Sequence, residues 1–398
     1  MSSYFFCLLR VFREGIIVPL LPLLYLFSTG TLCFDVIHYI LHRCNKSSFP
    51  FIKWLARIHH FHHLYYTSHL KFDEKYLHPN AFKALPLELG FQIFGSLLGY
   101  CFPLLMAKNG SIWLTRRHLW IVVCFQILRT IFVILISGRD SNHIIYKMVP
   151  KDNNWLFVGP EFHSLHHLYP DRYMGSFIKI FDWIAGTSYS LRSKRFVVTG
   201  GSGSFGQAII KVLEREGVRC IRKLKFGTDW SHNSFANTLP VLSDSDVLIL
   251  AHGTKGLDAM ESNCHAAVQM IHLFKLHRKM DLKCQTLPEV WYVGSESELH
   301  PSWGNVSLQR YSRSKRCFLP HARSFYDDPD IIYRHIVPSS FRSRMGSAIL
   351  SADWAAESTM WWIRRGARYI PVTYTGIAYL NFFKFIFWVP SARDSNQE

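Results

Sequence analysis

Apolar residues are distributed along this chain in two regimes, and the change comes near residue 190. Positions 15–41 are almost wholly apolar, and two further apolar runs cover 85–107 and 118–137. A helix needs ~20 apolar residues to cross a bilayer, so the pattern predicts three membrane helices. The first is not read as a cleaved secretory signal, although Arg10 and Arg13 precede it. It continues past the usual length of such a segment and lacks a small-residue cleavage site before His38. The second and third runs are joined by a short loop holding Lys108, Asn109, Gly110, Arg116 and Arg117, and they predict a hairpin that enters the membrane and returns. Residues before 85 and after 137 then lie on one side. Beyond 190 the apolar runs shorten to 196–199, 218–222, 246–251 and 290–293, with helical periodicity between them at 207–216 and 261–277. Strands alternating with amphipathic helices predict a doubly wound parallel sheet. The expected architecture is an all-α membrane domain over 1–190, a Rossmann-like α/β domain over 191–375 and an aromatic tail over 376–398. The tail, interrupted by Lys384, is too short for a confident span and reads as a membrane-interfacial helix, with a buried core helix as the alternative.

Charge adds a choice of partner. The 398 residues carry 45 Lys and Arg against 28 Asp and Glu, a net +17, which suits nucleic acid and anionic lipid equally. The apolar runs decide for lipid, and the chain lacks the Lys/Arg-rich arm that marks nucleic-acid binding. Nine cysteines without a C-x-x-C pair fit reduced thiols facing a cytosolic compartment. Arg43, Lys46, Lys53 and Arg57 follow the first run at once, which puts that face on the cytoplasmic side.

The polar residues at this face are unusual. His59, His62 and His63 form H-x-x-H-H, and on a helix they share one face while His60 points away. The same spacing returns at His163, His166 and His167, and His38 and His42 stand four apart. Among 21 histidines, two such matches are far from chance. Imidazoles at these offsets can converge on one metal ion or on two close together. His143 is a further candidate ligand, whereas His60, His69 and His78 suit supporting or surface roles better. Arg129, inside the third run, is expensive in lipid and is expected to face the bundle. The three histidine motifs, in this order and with a hairpin between the second and third, resemble the fatty acid hydroxylase and sterol desaturase family over the first 190 residues. The resemblance implies a di-iron centre that activates O2 against a lipid C–H bond, with electrons from a separate redox protein. Spacing alone does not choose between iron, zinc and copper.

The second regime opens with R-F-V-V-T-G-G-S-G-S-F-G. Strand 196–199 ends at Thr199 and runs into Gly200, Gly203, Phe205 and Gly206 ahead of a helix, the context in which glycines let a backbone approach a pyrophosphate at a helix N-terminus. Arg222 and Lys223 stand at the end of the next strand, where an acidic residue would select NAD; positive charge there favours NADP. His252 and Gly253 follow the third strand. Asn263 lies on the next helix, Ser295 after the fourth strand, and Tyr311 and Lys315 stand four apart on a helix, where an ammonium tunes the phenol for proton transfer. Ser297 is an alternative to Ser295. These residues resemble the short-chain dehydrogenase/reductase family over about 195–373, which implies that Asn263, Ser295, Tyr311 and Lys315 form its catalytic tetrad. Departures are the G-x-x-G-x-x-G spacing, Ala251-His252-Gly253 in place of Asn-Ala-Gly, and Ser339 after Pro338. In this order the two halves resemble the fused sterol desaturase/short-chain dehydrogenase proteins of cyanobacteria. The expected function is a bifunctional membrane enzyme that hydroxylates or desaturates a lipid and interconverts an alcohol and a carbonyl with NADP(H). Alternatives are an anchored reductase with an inactive histidine half, or a non-catalytic lipid-binding scaffold.

Overall fold

The computed structural model describes residues 18–44, 48–106, 114–147, 149–278, 287–300, 304–343, 346 and 348–392. Arg10, Arg13, Lys46, Lys108, Asn109 and Gly110 lie outside the described residues. The chain divides into two compact units, Met1–Ser188 and Tyr189–Glu398.

In the first unit, helix α1 covers Val18–Arg43, α2 Pro50–Tyr65, α3 Leu85–Met106 and α4 Arg116–Leu135. Among the described residues, three helical stretches are long and apolar enough to cross a membrane: Leu20–Arg43, Glu74–Met106 and Arg116–Leu135. The second begins at Glu74, earlier than its apolar run, because a π-helical turn at Asn80–Ala84 carries the helix into α3. Helices α1 and α3 pack closely because small residues face each other. A Cβ on Gly95 would stand 2.4 Å from Cys33 Cβ, and one on Gly99 would stand 2.2 Å from Thr29 Oγ1. A polar relay crosses this contact: Ser96 Oγ donates to the Leu26 carbonyl at 3.0 Å and receives Gln126 Nε2 at 3.0 Å. Two short helices complete the unit, α5 Pro160–Leu168 and α6 Ile180–Ala185. The intervening loop is pinned by carboxylates. Asp182 accepts the Met174 and Gly175 N–H groups at 2.8 and 2.7 Å, and Asp35 of α1 accepts Ser176 N–H at 2.9 Å.

The second unit is a six-stranded sheet in which every neighbouring pair is parallel. Its strands are β1 Arg195–Thr199, β2 Cys220–Leu224, β3 Val247–Leu250, β4 Glu289–Val293, β5 Ile332–Pro338 and β6 Tyr369–Val372, in the order β2-β1-β3-β4-β5-β6. Helices α7 Ser204–Arg215, α8 Leu239–Ser243, α9 Ala266–His277, α10 Val306–Asp327, α11 Ala352–Arg364 and α12 Ile377–Phe387 connect or flank them. This is the Rossmann-like doubly wound architecture. Strand residues alternate between two cores: Phe196, Val198 and Trp291 pack on one face with α7 and α11, and Val197, Leu248 and Tyr292 on the other with α9 and α10. Helix α12 does not stand apart as a tail. Ala378, Asn381 and Phe385 are buried in the second core, while Tyr379, Leu380 and Phe383 on its opposite face are exposed. Strand order reverses between β1 and β3, and the crevice beyond their carboxyl ends is where such sheets take ligands.

Candidate functional site

The hairpin of α3 and α4 returns the chain to the end of α1, and the histidine motifs meet there. They form two nests. His38, His42, His59, His63 and His166 make the first; His62, His143, His163 and His167 make the second. The eight histidines of the three motifs and His143 all fall in these nests, and His60, His69 and His78 are exposed outside them. Each H-x-x-H-H motif is divided. The i and i+4 members of α2, His59 and His63, enter the first nest and His62 the second, while in α5 His163 and His167 enter the second and His166 the first.

The Nε2 atoms face one another at close range. In the first nest His42 lies 3.2 Å from His38 and from His59, and His63 lies 3.1 Å from His42, 3.2 Å from His59 and 3.2 Å from His166. In the second, His143 is 3.4 Å from His62 and 3.0 Å from His163, and His167 is 3.1 and 3.2 Å from His62 and His163. Nitrogens each ~2.1 Å from one ion would stand ~3.0 Å apart at right angles and ~3.4 Å apart at the tetrahedral angle. The observed edges span that range.

Outer contacts fix which nitrogen carries the proton. His38 Nδ1 faces the Met174 carbonyl at 3.2 Å and His166 Nδ1 the Arg172 carbonyl at 2.8 Å, and a carbonyl only accepts. His143 Nδ1 lies 2.7 Å from the Asp140 carboxylate and His59 Nδ1 3.3 Å from Glu88. In these four rings Nε2 is therefore left with a bare lone pair. Protonation does not relieve the crowding, because burial among like groups pulls His62 down to about 4 and His166 to about 3, and holds His63, His163 and His167 well below the usual range. Bare lone pairs at this spacing repel, and one cation in each nest would turn the repulsion into ligation. The donor set therefore fits a pair of metal ions. Both nests border a cavity of about 630 Å³ whose far wall is apolar, including Leu23, Phe27, Leu89 and Phe125; Arg129 lines it and lies 3.9 Å from Asp140. Sequence reasoning missed Asp140, Glu88 and Tyr66. Tyr66 donates to the Ile144 carbonyl, lies 3.1 Å from Ser164 Oγ and packs against His143 and His167.

In the second unit the glycines act by close approach. Gly200 has φ +68, and a Cβ there would meet the Ala251–His252 peptide at 2.5 Å; a Cβ on Gly206 would lie 2.2 Å from the Gly200 carbonyl oxygen. Gly203 caps α7, leaving the helix N-terminus open to an anion. The surrounding residues divide into wall and brace. Lys223 runs past Gly201, its Cγ 3.4 Å from where a Cβ would stand, and Gly253 borders Asn263. Thr199, Phe205 and His252 brace the wall instead of lining it. Thr199 is fully buried with its Oγ1 2.6 Å from His252 Nδ1, His252 Nε2 lies 3.1 Å from the Ser262 carbonyl, and Phe205 is buried beneath the loop. Arg222 is turned away: strand alternation sends it to the face opposite Lys223, where Asp244 holds it at 2.7 Å. Of the two basic residues expected at the nucleotide, only Lys223 is adjacent to the glycine turn.

Beside this crevice Ser295 hydrogen-bonds Tyr311, whose phenol burial pushes up to about 12. Lys315 Nζ donates to the Val293 carbonyl at 2.7 Å and to Tyr292 OH at 3.2 Å, and lies 5.8 Å from the Tyr311 ring centre; burial draws its amine down to about 8. Tyr292 OH in turn donates to the Asn263 carbonyl at 2.8 Å, so a tyrosine links the lysine to the asparagine. Asn263 sits in a π-helical turn, Glu261–His265, with Nδ2 donating to the Thr254 carbonyl and to Ser314 Oγ at 2.9 and 2.8 Å. Ser295 caps a short helix whose Glu298 is fully buried, accepts Ser295 N–H at 3.2 Å and lies 2.8 Å from His335 Nε2. Ser297 Oγ is 3.0 Å from Ser295 Oγ, one step further from the phenol.

No protein-family model matches the chain. A monoglucosyldiacylglycerol epimerase of Synechocystis sp. is 27% identical over 255 residues, which cover 57% of this chain and 61% of that protein. The match thus spans about three-fifths of the relative's length. Among solved structures, a short-chain dehydrogenase from Burkholderia cenocepacia in complex with NADP superposes with a TM-score of 0.41 at 14% identity, covering 52% of this chain and 97% of its own. Another from Sphingobium yanoikuyae, in complex with NADPH, gives 0.38 at 12%, covering 48% and 92%.

Proposed function

We propose that this chain is a membrane oxidoreductase acting on a lipid, with an oxygen-dependent di-iron site in its first unit and a nicotinamide-dependent alcohol/carbonyl site in its second, both on the cytoplasmic side. The observation that carries the reading is the pair of histidine nests opening on an apolar cavity. A pair of iron ions held there would supply O2 chemistry, fed by an external electron donor. The protein's own part is to bring the imidazoles together in a buried site, fix the tautomers of His38, His59, His143 and His166 through two carbonyls, Glu88 and Asp140, and exclude water from an apolar chain in the cavity.

In the second unit, the nicotinamide of NADP(H) would give or take hydride at the carbinol carbon. Ser295 and Tyr311 hold the substrate oxygen, and Tyr311 gives its proton as a carbonyl becomes an alcohol. Lys315, charged and buried beneath, favours the phenolate left behind, and Tyr292 keeps Lys315 in place. The relative's name favours a second reading of this unit: hydride removed from a headgroup carbinol and returned to its other face, which is epimerisation by the same residues.

The test uses the full chain in lipid nanodiscs. Metal analysis should give one iron per nest, and incubation with a membrane lipid extract and NADPH deuterated at the transferring position should place deuterium on a lipid carbinol. Tyr311→Phe should abolish the label and keep the iron. Protein that holds no iron after anaerobic reconstitution refutes the first site; an unlabelled lipid pool refutes the second.

A further inference from the structure

A donor cluster of a different kind lies within the second unit. Cys264, His265 and Cys317 bring one ligand atom each to a common point, and the two sulfurs and the imidazole nitrogen all lie within 4.8 Å of one another. Two elements supply them. Cys264 and His265 are consecutive in the π-helical turn Glu261–His265, where winding wider than an α-helix separates neighbours by less than ~100° and lets both face one point. Cys317 comes from α10, which packs against that turn. No C-x-x-C pair marks the group, because its cysteines stand on different elements.

Cys264 is fully buried, while His265 and Cys317 are exposed, so an ion can enter from solvent and come to rest against the core. The imidazole is already oriented. His265 Nδ1 lies 3.0 Å from Glu261 Oε2, and a carboxylate only accepts, so Nδ1 holds the proton and Nε2 keeps a lone pair for a metal. Unlike the all-nitrogen nests, this set is soft. Two thiolates and an imidazole select zinc or copper(I), and number decides between them: zinc takes four ligands, whereas three donors fill a trigonal plane. His321, four residues beyond Cys317 on the same face of α10, is the side chain a fourth ligand would call for, and it lies outside the cluster. With bonds of ~2.3 Å to sulfur and ~2.0 Å to nitrogen, trigonal donors stand ~3.7–4.0 Å apart, inside the observed 4.8 Å span. We infer that Cys264, His265 and Cys317 form a copper(I) site in the second unit. Binding releases the two thiol protons to solvent and changes no oxidation state. The ion would tie the turn that carries Asn263 to the helix that carries Tyr311 and Lys315.

The test titrates the full chain, iron-loaded in nanodiscs and kept anaerobic, with copper(I) buffered by bicinchoninate. One equivalent should bind with an ultraviolet thiolate-to-copper charge-transfer band, and X-ray absorption should show two sulfurs and one nitrogen around the copper. The nests offer nitrogen alone, so the band reports on this cluster whether or not they hold iron. Cys317→Ser, at an exposed position where folding is not at stake, should abolish the band, and Cys264→Ser should do the same. Glu261→Gln, which loosens the grip on His265, should weaken binding ~10-fold. His321→Ala should leave copper affinity unchanged, and excess zinc(II) should not displace the copper. A parent chain without the band, a band that survives Cys317→Ser, a fourth scatterer lost with His321→Ala, or displacement by zinc(II) overturns the proposal.

Discussion

Asp140→Asn removes one charge and preserves shape, and the structure makes its effect selective. Asp140 touches His143 alone among the nine histidines, at 2.7 Å, and is mostly shielded from solvent, its side chain 13% exposed. Burial works against its charge, but His143 and Arg129 hold the carboxyl below its ordinary value, so it is ionised at neutral pH and draws electron density through the ring toward Nε2. Asparagine accepts the same hydrogen bond without the charge. Loss of such a partner weakens metal affinity ~10–100-fold, or ~1.4–2.7 kcal/mol. Only the second nest should feel it, because the first takes its carboxylate from Glu88 at His59, 3.3 Å away. Anaerobic titration of metal-free protein with Co(II), followed by the visible ligand-field bands, should resolve two sites in the parent. Asp140→Asn should weaken one, Glu88→Gln the other. If either substitution weakens both sites equally, or neither changes any site, the assignment of carboxylates to separate nests is wrong.

Carbonyl reduction needs Tyr311 protonated and Lys315 charged. With the phenol near 12 and the amine near 8, the rate should hold below about pH 8 and fall above it, as stopped-flow NADPH oxidation would record. Glu289 is fully buried against Lys194 at 2.9 Å, Arg334 at 2.6 Å and Tyr189; burial opposes its charge, but the two cations win and bring it from 4.5 to about 2. A depressed carboxyl stabilises above its unfolded value, so ~3 kcal/mol present at neutral pH should vanish as pH falls from ~4.5 toward 2. Glu289→Gln, which leaves buried cations unpaired, should cost about 3–5 kcal/mol in pulse proteolysis of the second unit. Gly206→Ala forces a methyl against the Gly200 carbonyl and should abolish NADPH binding by fluorescence titration while leaving iron content unchanged.

Local spacing made much of this legible. H-x-x-H-H picks out histidines that cluster because helix periodicity aligns them, and a strand followed by Gly200, Gly203 and Gly206 names a crevice because only a bare Cα fits that turn. The division into two nests was not legible, since neighbours such as His62 and His63 give no sign of facing different nests until α5 and the Asp140 loop close over them. Side-chain direction misled for Arg222: position placed it at the nucleotide, and alternation with Asp244 across the sheet took it away. Tyr292 and Glu88 carry no motif at all, and Glu298, which closes a capping box with Ser295, gives no local sign of its contact with His335. Their partners lie 23 or more positions distant for Tyr292 with Lys315, and on other elements for the rest, so only the folded chain reveals them. The apolar run of 376–390 could not tell a core helix from a surface one, and α12 uses one face for each.

Because each of these helices contributes adjacent residues to both nests, α2 and α5 behave as crossbars between them. The bars hold the spacing of the two positions before anything is bound, so each can fill at its own affinity into a distance that its neighbour's occupancy does not set.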